Sequence, residues 1–263
     1  MITVKTYPNI SKKYAELVCT AGVREDGSWI RIYPVPFRLL SGDKQFKKYD
    51  VIKVPIRKNK SDIRIESYKI ENSEEIEIVE HIDTENNWQK RKDYIFKNKI
   101  YTNMRELTEL NKQYHISLAT FKPCQILKIY AEDKKCGEYW TKDEIIKYTN
   151  ANKSLFCDNF DLKNMPKIPY NFKISFKDNS GYIRDMIILD WEISQLYSNY
   201  RHVKKYSKEN SKNKVLDKLQ ELAVKDLYLF LGTTNKYDGW ATNPFTIIGL
   251  FYPKKAIYNP TLF

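Results

Sequence analysis

The sequence predicts an α+β fold rich in antiparallel strands, with a small β-barrel-like N-terminal half and a C-terminal half of sheet plus helix. Three observations carry this reading. Short β-branched and aromatic runs follow one another closely between residues 15 and 70, with turn signals between them. Apolar residues recur at helical spacing around 84–114 and again at 212–225. Two nearly continuous apolar stretches, Leu227–Thr233 and Phe245–Pro253, read as central strands of a sheet.

The first hairpin is expected from "AELVCTAGVRE" at 15–25, Asp26-Gly27 as a two-residue type I′ turn, and the return strand "SWIRIYPVPF". Alternation along that strand puts Trp29, Arg31, Tyr33, Val35 and Phe37 on one face, with Ile30, Ile32, Pro34 and Pro36 on the other. Proline has no N–H to donate, so the strand lies at a sheet edge or leaves the sheet near Pro34. "DVIKVPI", the polar turn "RKNKSD" and "IRIESYKI" add two more strands. Residues 84–114 read as two short helices, the second capped by Asn103 or Thr102. "CQILKIYAE" then reads as the strand that closes the first sheet.

Residues 134–164 read as an irregular insertion carrying one short helix, where Thr141 and Glu144 have the spacing of a capping box. "YNFKISFKD" and "RDMIILDWEI" are two further strands around "NSG", followed by a helix over about 190–206 and the amphipathic helix at 212–225. The expected organisation is therefore residues 1–133 as a basic barrel-like half, 134–164 as the insertion, and 165–263 as an α+β half packed on the first.

Composition limits the function classes. At 42% hydrophobic and 14% aromatic residues, the 263-residue chain is too apolar to be disordered. Its 45 basic and 33 acidic residues give a net charge of +12, the balance of a nucleic-acid binder and also of a chain rich in Lys, Ile, Asn and Tyr. Cys19, Cys124, Cys136 and Cys157 show no CxxC spacing, which argues against a zinc ribbon or thioredoxin-type site. No run approaches the roughly 18 apolar residues of a membrane span, and no signal peptide is evident. A cytoplasmic protein without membrane attachment is the expectation.

The chemistry-bearing residues fall in three groups. Trp29, Arg31 and Tyr33 would either pack on a second layer with Arg31 snorkelling or, supported by Arg24 and Arg38, make an exposed platform on which bases stack. Lys47, Lys48, Arg57, Lys58, Lys60 and Arg64 crowd one short stretch and read as either a solvated loop tip or a set of contacts to a phosphate backbone. Trp88 is followed by a further cationic cluster, Lys90, Arg91 and Lys92. Asp185, Asp190 and Glu192 are the candidate carboxylates for metal-assisted catalysis, although Asp190 equally suits a helix N-cap with Glu192 in the first turn. His81, His115 and His202 are scattered, and neither a P-loop nor GxGxxG occurs.

The frame "VCTAGVREDGSWIRIYPVPFR", "KYDVIKVPI", "IPYNFKISF", "ILDWEI" and "DLYLFLGTTN" with "FTIIGLFYP" resembles a bacterial protein family to which no activity is assigned, over most of the chain. That resemblance implies one co-evolved unit and supplies no catalytic residues. Some relatives carry cysteines and a histidine just before Asp-Trp-Glu, resembling a metal knuckle, whereas "KDNSGYIRDM" stands there in this chain, so such a site is absent or replaced.

The expected function is nucleic-acid binding by a basic, aromatic-lined groove, within a bacterial genome-defence, antiviral or nucleic-acid modification system. The alternatives are a metal-dependent nuclease using Asp185, Asp190 and Glu192, which would need Mg²⁺, and a protein-interaction subunit of a larger complex. No other cofactor is expected.

Overall fold

The computed structural model describes residues 1–6, 18–37, 40–135, 137–146 and 167–255. In chain order the first part holds strands β1 (Ile2–Lys5), β2 (Val18–Val23), β3 (Trp29–Val35), β4 (Asp50–Lys53), β5 (Ile56–Lys58), β6 (Ser67–Ile70) and β7 (Glu77–His81). Helix α1 (Glu85–Ile95), β8 (Ile100–Tyr101), helix α2 (Met104–Tyr114), β9 (Leu118–Phe121) and β10 (Gln125–Asp133) follow. After the insertion come β11 (Tyr170–Lys177), β12 (Ile183–Ile187), helices α3 (Trp191–Ser198) and α4 (Lys208–Ala223), and strands β13 (Tyr228–Thr233) and β14 (Phe245–Phe251). A π-helical turn, Asn199–Val203, extends α3.

These strands form four sheets, with orders β1-β2-β3-β6-β5, β4-β7, β14-β13-β9-β8 and β10-β11-β12. The fold is α+β and mostly antiparallel, and β3 with β6 and β8 with β9 are the parallel pairs. None of the sheets is closed into a barrel, so the barrel-like N-terminal half is corrected to an open five-stranded sheet beside a two-stranded ribbon. β10 likewise does not close the first sheet, because its register is taken up by β11, from Gln125↔Lys177 to Asp133↔Tyr170.

Two sheets pack face to face and set the interior. One face of the five-stranded sheet carries Val4, Ala21, Val23 and Trp29, which meet Leu118, Phe230, Ile248 and Phe251 of the four-stranded sheet. The opposite face of that second sheet carries Leu229, Leu231, Ile247 and Leu250 into a core shared with α2, α3, α4 and β11. Burial on both faces is why 227–233 and 245–253 show almost no alternation. β13 is internal; β14 is outermost in its sheet, and its far side meets the segment after β12, with Leu189 donating to Ile247 at 2.7 Å.

β3 departs from simple alternation for a local reason. Between Thr20↔Ile32 and Val18↔Val35 the register slips, with one extra residue on the β3 side. A bulge of one residue reverses which face the rest of the strand presents. Val35 and Phe37 therefore join Ile30 and Ile32 in a third core, with Val18, Leu40, Phe46 and Ile76, and not Trp29. Nor is β3 an edge, since β2 pairs one side while Arg31 and Ile32 pair with β6 on the other. The turn before it is a three-residue loop: Gly27 donates to Arg24, Arg24 to Ser28, and only Gly27 has positive φ, so the type I′ expectation gives way to a turn closed by a left-handed glycine.

Helix starts follow their local signals. Asn103 caps α2 by accepting from Arg105 and Glu106, and Asp190 caps α3 by accepting from Glu192. Thr141 and Glu144 form the expected capping box at 3.2 Å from Glu144 N to Thr141 Oγ1, while residue 136 and residues 147–164 of the insertion lie outside the described residues. No helix among the described residues is long and apolar enough to cross a membrane.

Candidate functional site

The base-stacking platform is not assembled. Trp29 is 6% exposed and lies edge-on to Phe230 at 5.4 Å, because its face of β3 is the one pressed onto the second sheet. Arg31 shares that face and is 3% exposed. Its guanidinium donates to Ser117 O at 3.1 Å, Ser117 Oγ at 3.2 Å and Cys19 Sγ at 3.1 Å. Glu66 accepts from Ser117 N and Oγ, so this cation is a tie between the two sheets. Tyr33 is half-buried, and Arg38 lies outside the described residues.

The cation cluster separates. Arg57, Lys58 and Lys60 are exposed on and after β5, at one edge of the five-stranded sheet. Lys58 lies over the Tyr68 ring at 4.8 Å and donates to Ile65 O. Arg64 is buried, bound to both oxygens of Asp62 and to Thr233 O at 2.8 Å. Burial would raise the Asp62 carboxyl, but the bonds from Arg64 and Ser67 outweigh it and pull its pKa down to about 2. Lys47 and Lys48 lie elsewhere, on the β1 side, which is four strand spacings or roughly 19 Å from β5 across the sheet.

At that β1 side is a recess of about 580 Å³. It is lined by cations Lys5, Lys47, Lys48 and Arg91, by rings of Tyr49, Trp88, Trp191 and Tyr252, and by Asp190 and Glu192. Each piece arrives from a different element: Lys5 from the end of β1, Lys47 to Tyr49 from the loop before β4, Trp88 and Arg91 from α1, Asp190 to Glu192 from the start of α3, and Tyr252 just past β14.

The floor is an ion pair. Lys48 Nζ donates to Asp190 Oδ2 at 3.3 Å, Glu192 Oε2 at 3.0 Å and Leu250 O at 3.2 Å. Burial alone would push this ammonium down, but the Asp190 carboxylate, with Glu192, holds its pKa well above that of an ordinary lysine. Asp190 is buried and fully engaged, its Oδ1 accepting from Glu192 N. The expectation of an N-cap is met by this side chain, which also pairs with Lys48.

The walls are aromatic and cationic. Arg91 donates twice to Ile82 O and lays its guanidinium over the rings of Tyr49 at 3.7 Å and Trp88 at 4.8 Å. Lys5 donates to Phe46 O at 3.0 Å and stands 5.4 Å from the Trp191 ring centroid, with burial lowering its pKa. Trp88 meets Tyr252 edge-on at 4.9 Å. His81 contacts Asp50 at 2.6 Å at the rim.

Backbone strain concentrates at the same place. Tyr49 has φ 72° and Trp88 φ 66°, left-handed values that cost a bulky residue on the order of 1–3 kcal/mol. Asn86 and Asn87 precede Trp88 in the same conformation, and Asn87 is tied in both directions to the backbone of Lys254. Such conformations persist where the surroundings fix them, and here they fix two rings of one recess.

The carboxylate triad of the nuclease expectation does not come together. Asp185 is exposed on β12 opposite Ser175, beside Tyr130, about five residues of extended chain before Asp190. Among the described residues no group of three or more His, Cys, Asp and Glu side chains could hold a metal ion. The Lys48 ammonium bridges the two carboxylates that do meet. Cys19 and Cys124 are free thiols, the first half-buried and the second exposed, and Cys136 and Cys157 lie outside the described residues.

Sequence reasoning reached Lys47, Lys48, Asp190 and Glu192 but not Lys5, Tyr49 or Tyr252. Trp88 and Arg91 carried a partial signal, an aromatic with a cation three residues on, although Trp88 is left-handed and precedes the regular helical turns, so helical spacing alone does not set its direction. No curated protein matches the chain. Residues 1–97 match a domain of unknown function (DUF8758). Residues 100–263, more than half of the chain, match a second domain of unknown function (DUF8757), and the chain belongs to that family.

Proposed function

We propose that the protein binds nucleic acid in its single-stranded form at the recess between the loop before β4, α1 and α3. The observation that carries this is the convergence of Lys5, Lys47 and Arg91 from three separate elements, with the ion-paired Lys48, beside four rings and only two carboxylates. Lys47 is exposed at the mouth and suits a phosphate, while Trp88, Trp191 and Tyr252 are half-buried rings of the kind on which unpaired bases stack. The net charge of +12 supplies long-range attraction for a polyanion.

The test is fluorescence anisotropy with labelled single-stranded DNA and RNA oligonucleotides across a salt series. Affinity should fall linearly on a log–log plot against salt, and Lys47→Ala should reduce the slope by about 0.7, the value for one phosphate contact on a single strand. Binding that ignores salt, or a slope unchanged by Lys47→Ala, overturns the reading and favours a protein partner. The same mixtures with Mg²⁺ or Mn²⁺, run on a gel, report whether any strand is cut. Glu192→Gln is the variant for that arm, because Asp190 also caps α3 and anchors Lys48.

A further inference from the structure

Glu192 differs from Asp190, the other carboxylate of the recess. Its side chain is 53% exposed, Oε2 is taken by Lys48, and Oε1 receives no donor among the described residues. Lys48 has nothing left to offer a ligand, because its three protons go to Asp190, Glu192 and Leu250. Asp190 has both oxygens engaged and is buried. The recess floor therefore presents one unused carboxylate acceptor among half-buried rings.

A carboxylate only accepts hydrogen bonds, so its natural partner is a planar group with an outward N–H. It would repel a phosphate, and it would repel a ring edge made of carbonyls. Cytosine, adenine and guanine each carry an exocyclic amine. At the position of the cytosine amine, uracil and thymine present the O4 carbonyl, beside an N3–H, and acidic side chains pair with the cytosine N4 amine for this reason. Gln195 and Asn199 line the same recess on α3 and the turn after it, joined by a 3.0 Å bond, and offer amide groups to the rest of such an edge. The volume of about 580 Å³ lies within the range of sites that enclose a whole small ligand.

We propose that the recess selects an amine-bearing nucleobase, reading its amine with Glu192 Oε1 while the rings hold its faces. This rests on the nucleic-acid reading above and adds the base preference to it. Cytosine against uracil is the discriminating pair, since the two pyrimidines stack alike and differ at the amine and the neighbouring ring nitrogen.

The experiment compares deoxycytidine and deoxyuridine decamers bound to the full chain, with Glu192→Gln alongside. The wild type should favour the cytidine strand by about fivefold, the low end of what one well-placed base contact contributes. Glu192→Gln, whose amide can both donate and accept, should bring the ratio close to one while the salt slope stays. Equal wild-type affinities would overturn the base preference and leave salt-dependent binding standing. A preference that survives Glu192→Gln would also overturn it, and failure to bind either strand would remove both proposals. The wild-type comparison needs no variant to fold.

Discussion

Lys48 shows how much one side chain can carry. Its ammonium joins the loop before β4 to the start of α3 and to β14, across sequence separations of 142 and 202 residues. Removing it strands a buried carboxylate. Lys48→Met should therefore lower stability by about 3–5 kcal/mol, the usual loss when one half of a buried pair goes. Asp190→Asn keeps an N-cap oxygen and removes the charge, so adding it to Lys48→Met should recover a large part of that loss. Urea midpoints of the three proteins decide the matter; a single variant within about 0.5 kcal/mol of wild type would mean that the pair contributes nothing net. At this scale the residue types were legible and their partners were not, because a lysine in a basic run and an aspartate before Trp-Glu carry no mark of each other.

Among the elements, β3 is the most instructive. Its alternating pattern correctly separates Trp29 and Arg31 from Ile30 and Ile32, and both sets prove to be buried, since this strand lies between two cores. The bulge after Ile32 then moves Val35 and Phe37 to the isoleucine side, a change of face that strict alternation cannot register. The turn that sets up the strand depends on Gly27, with φ 87°, where an added Cβ would fall 2.5 Å from Lys97 Cβ and 3.1 Å from the Lys97 carbonyl carbon. Gly27→Ala combines a left-handed alanine with that clash. It should destabilise the protein by about 1–3 kcal/mol in thermal or urea unfolding, and a neutral result would show that the loop relaxes freely. Caps were more legible than faces: Asn103, Asp190 and the Thr141–Glu144 pair act at the positions that local spacing indicates, because a cap needs only its own next three residues.

For the molecule as a whole, the core between the two large sheets draws Val4, Val23, Trp29 and Ile95 from one family match and Leu118, Phe230, Ile248 and Phe251 from the other. A shared apolar interface of this kind couples its two sides. Unfolding in urea should give one transition, coincident by tryptophan fluorescence and far-ultraviolet circular dichroism. Two separated transitions would show that residues 1–97 and 100–263 fold independently.

The sequence by itself determined the α+β class, two short helices within 84–114 and an amphipathic one near 212–225, the caps at Asn103 and Asp190, and the two apolar strands near 230 and 248, all of which depend on neighbours within a few positions. It also marked the residues able to carry charge and rings. The tertiary structure decided which of them meet: Arg31 and Arg64 became internal ties, Arg57, Lys58 and Lys60 went to a far sheet edge, and Lys5, Lys48, Arg91, Trp191 and Tyr252 were gathered into one recess. The physical reason is that secondary structure follows local backbone preferences, whereas a recess is the gap left where separately formed elements pack, and its lining is set by packing geometry that no short window of sequence contains.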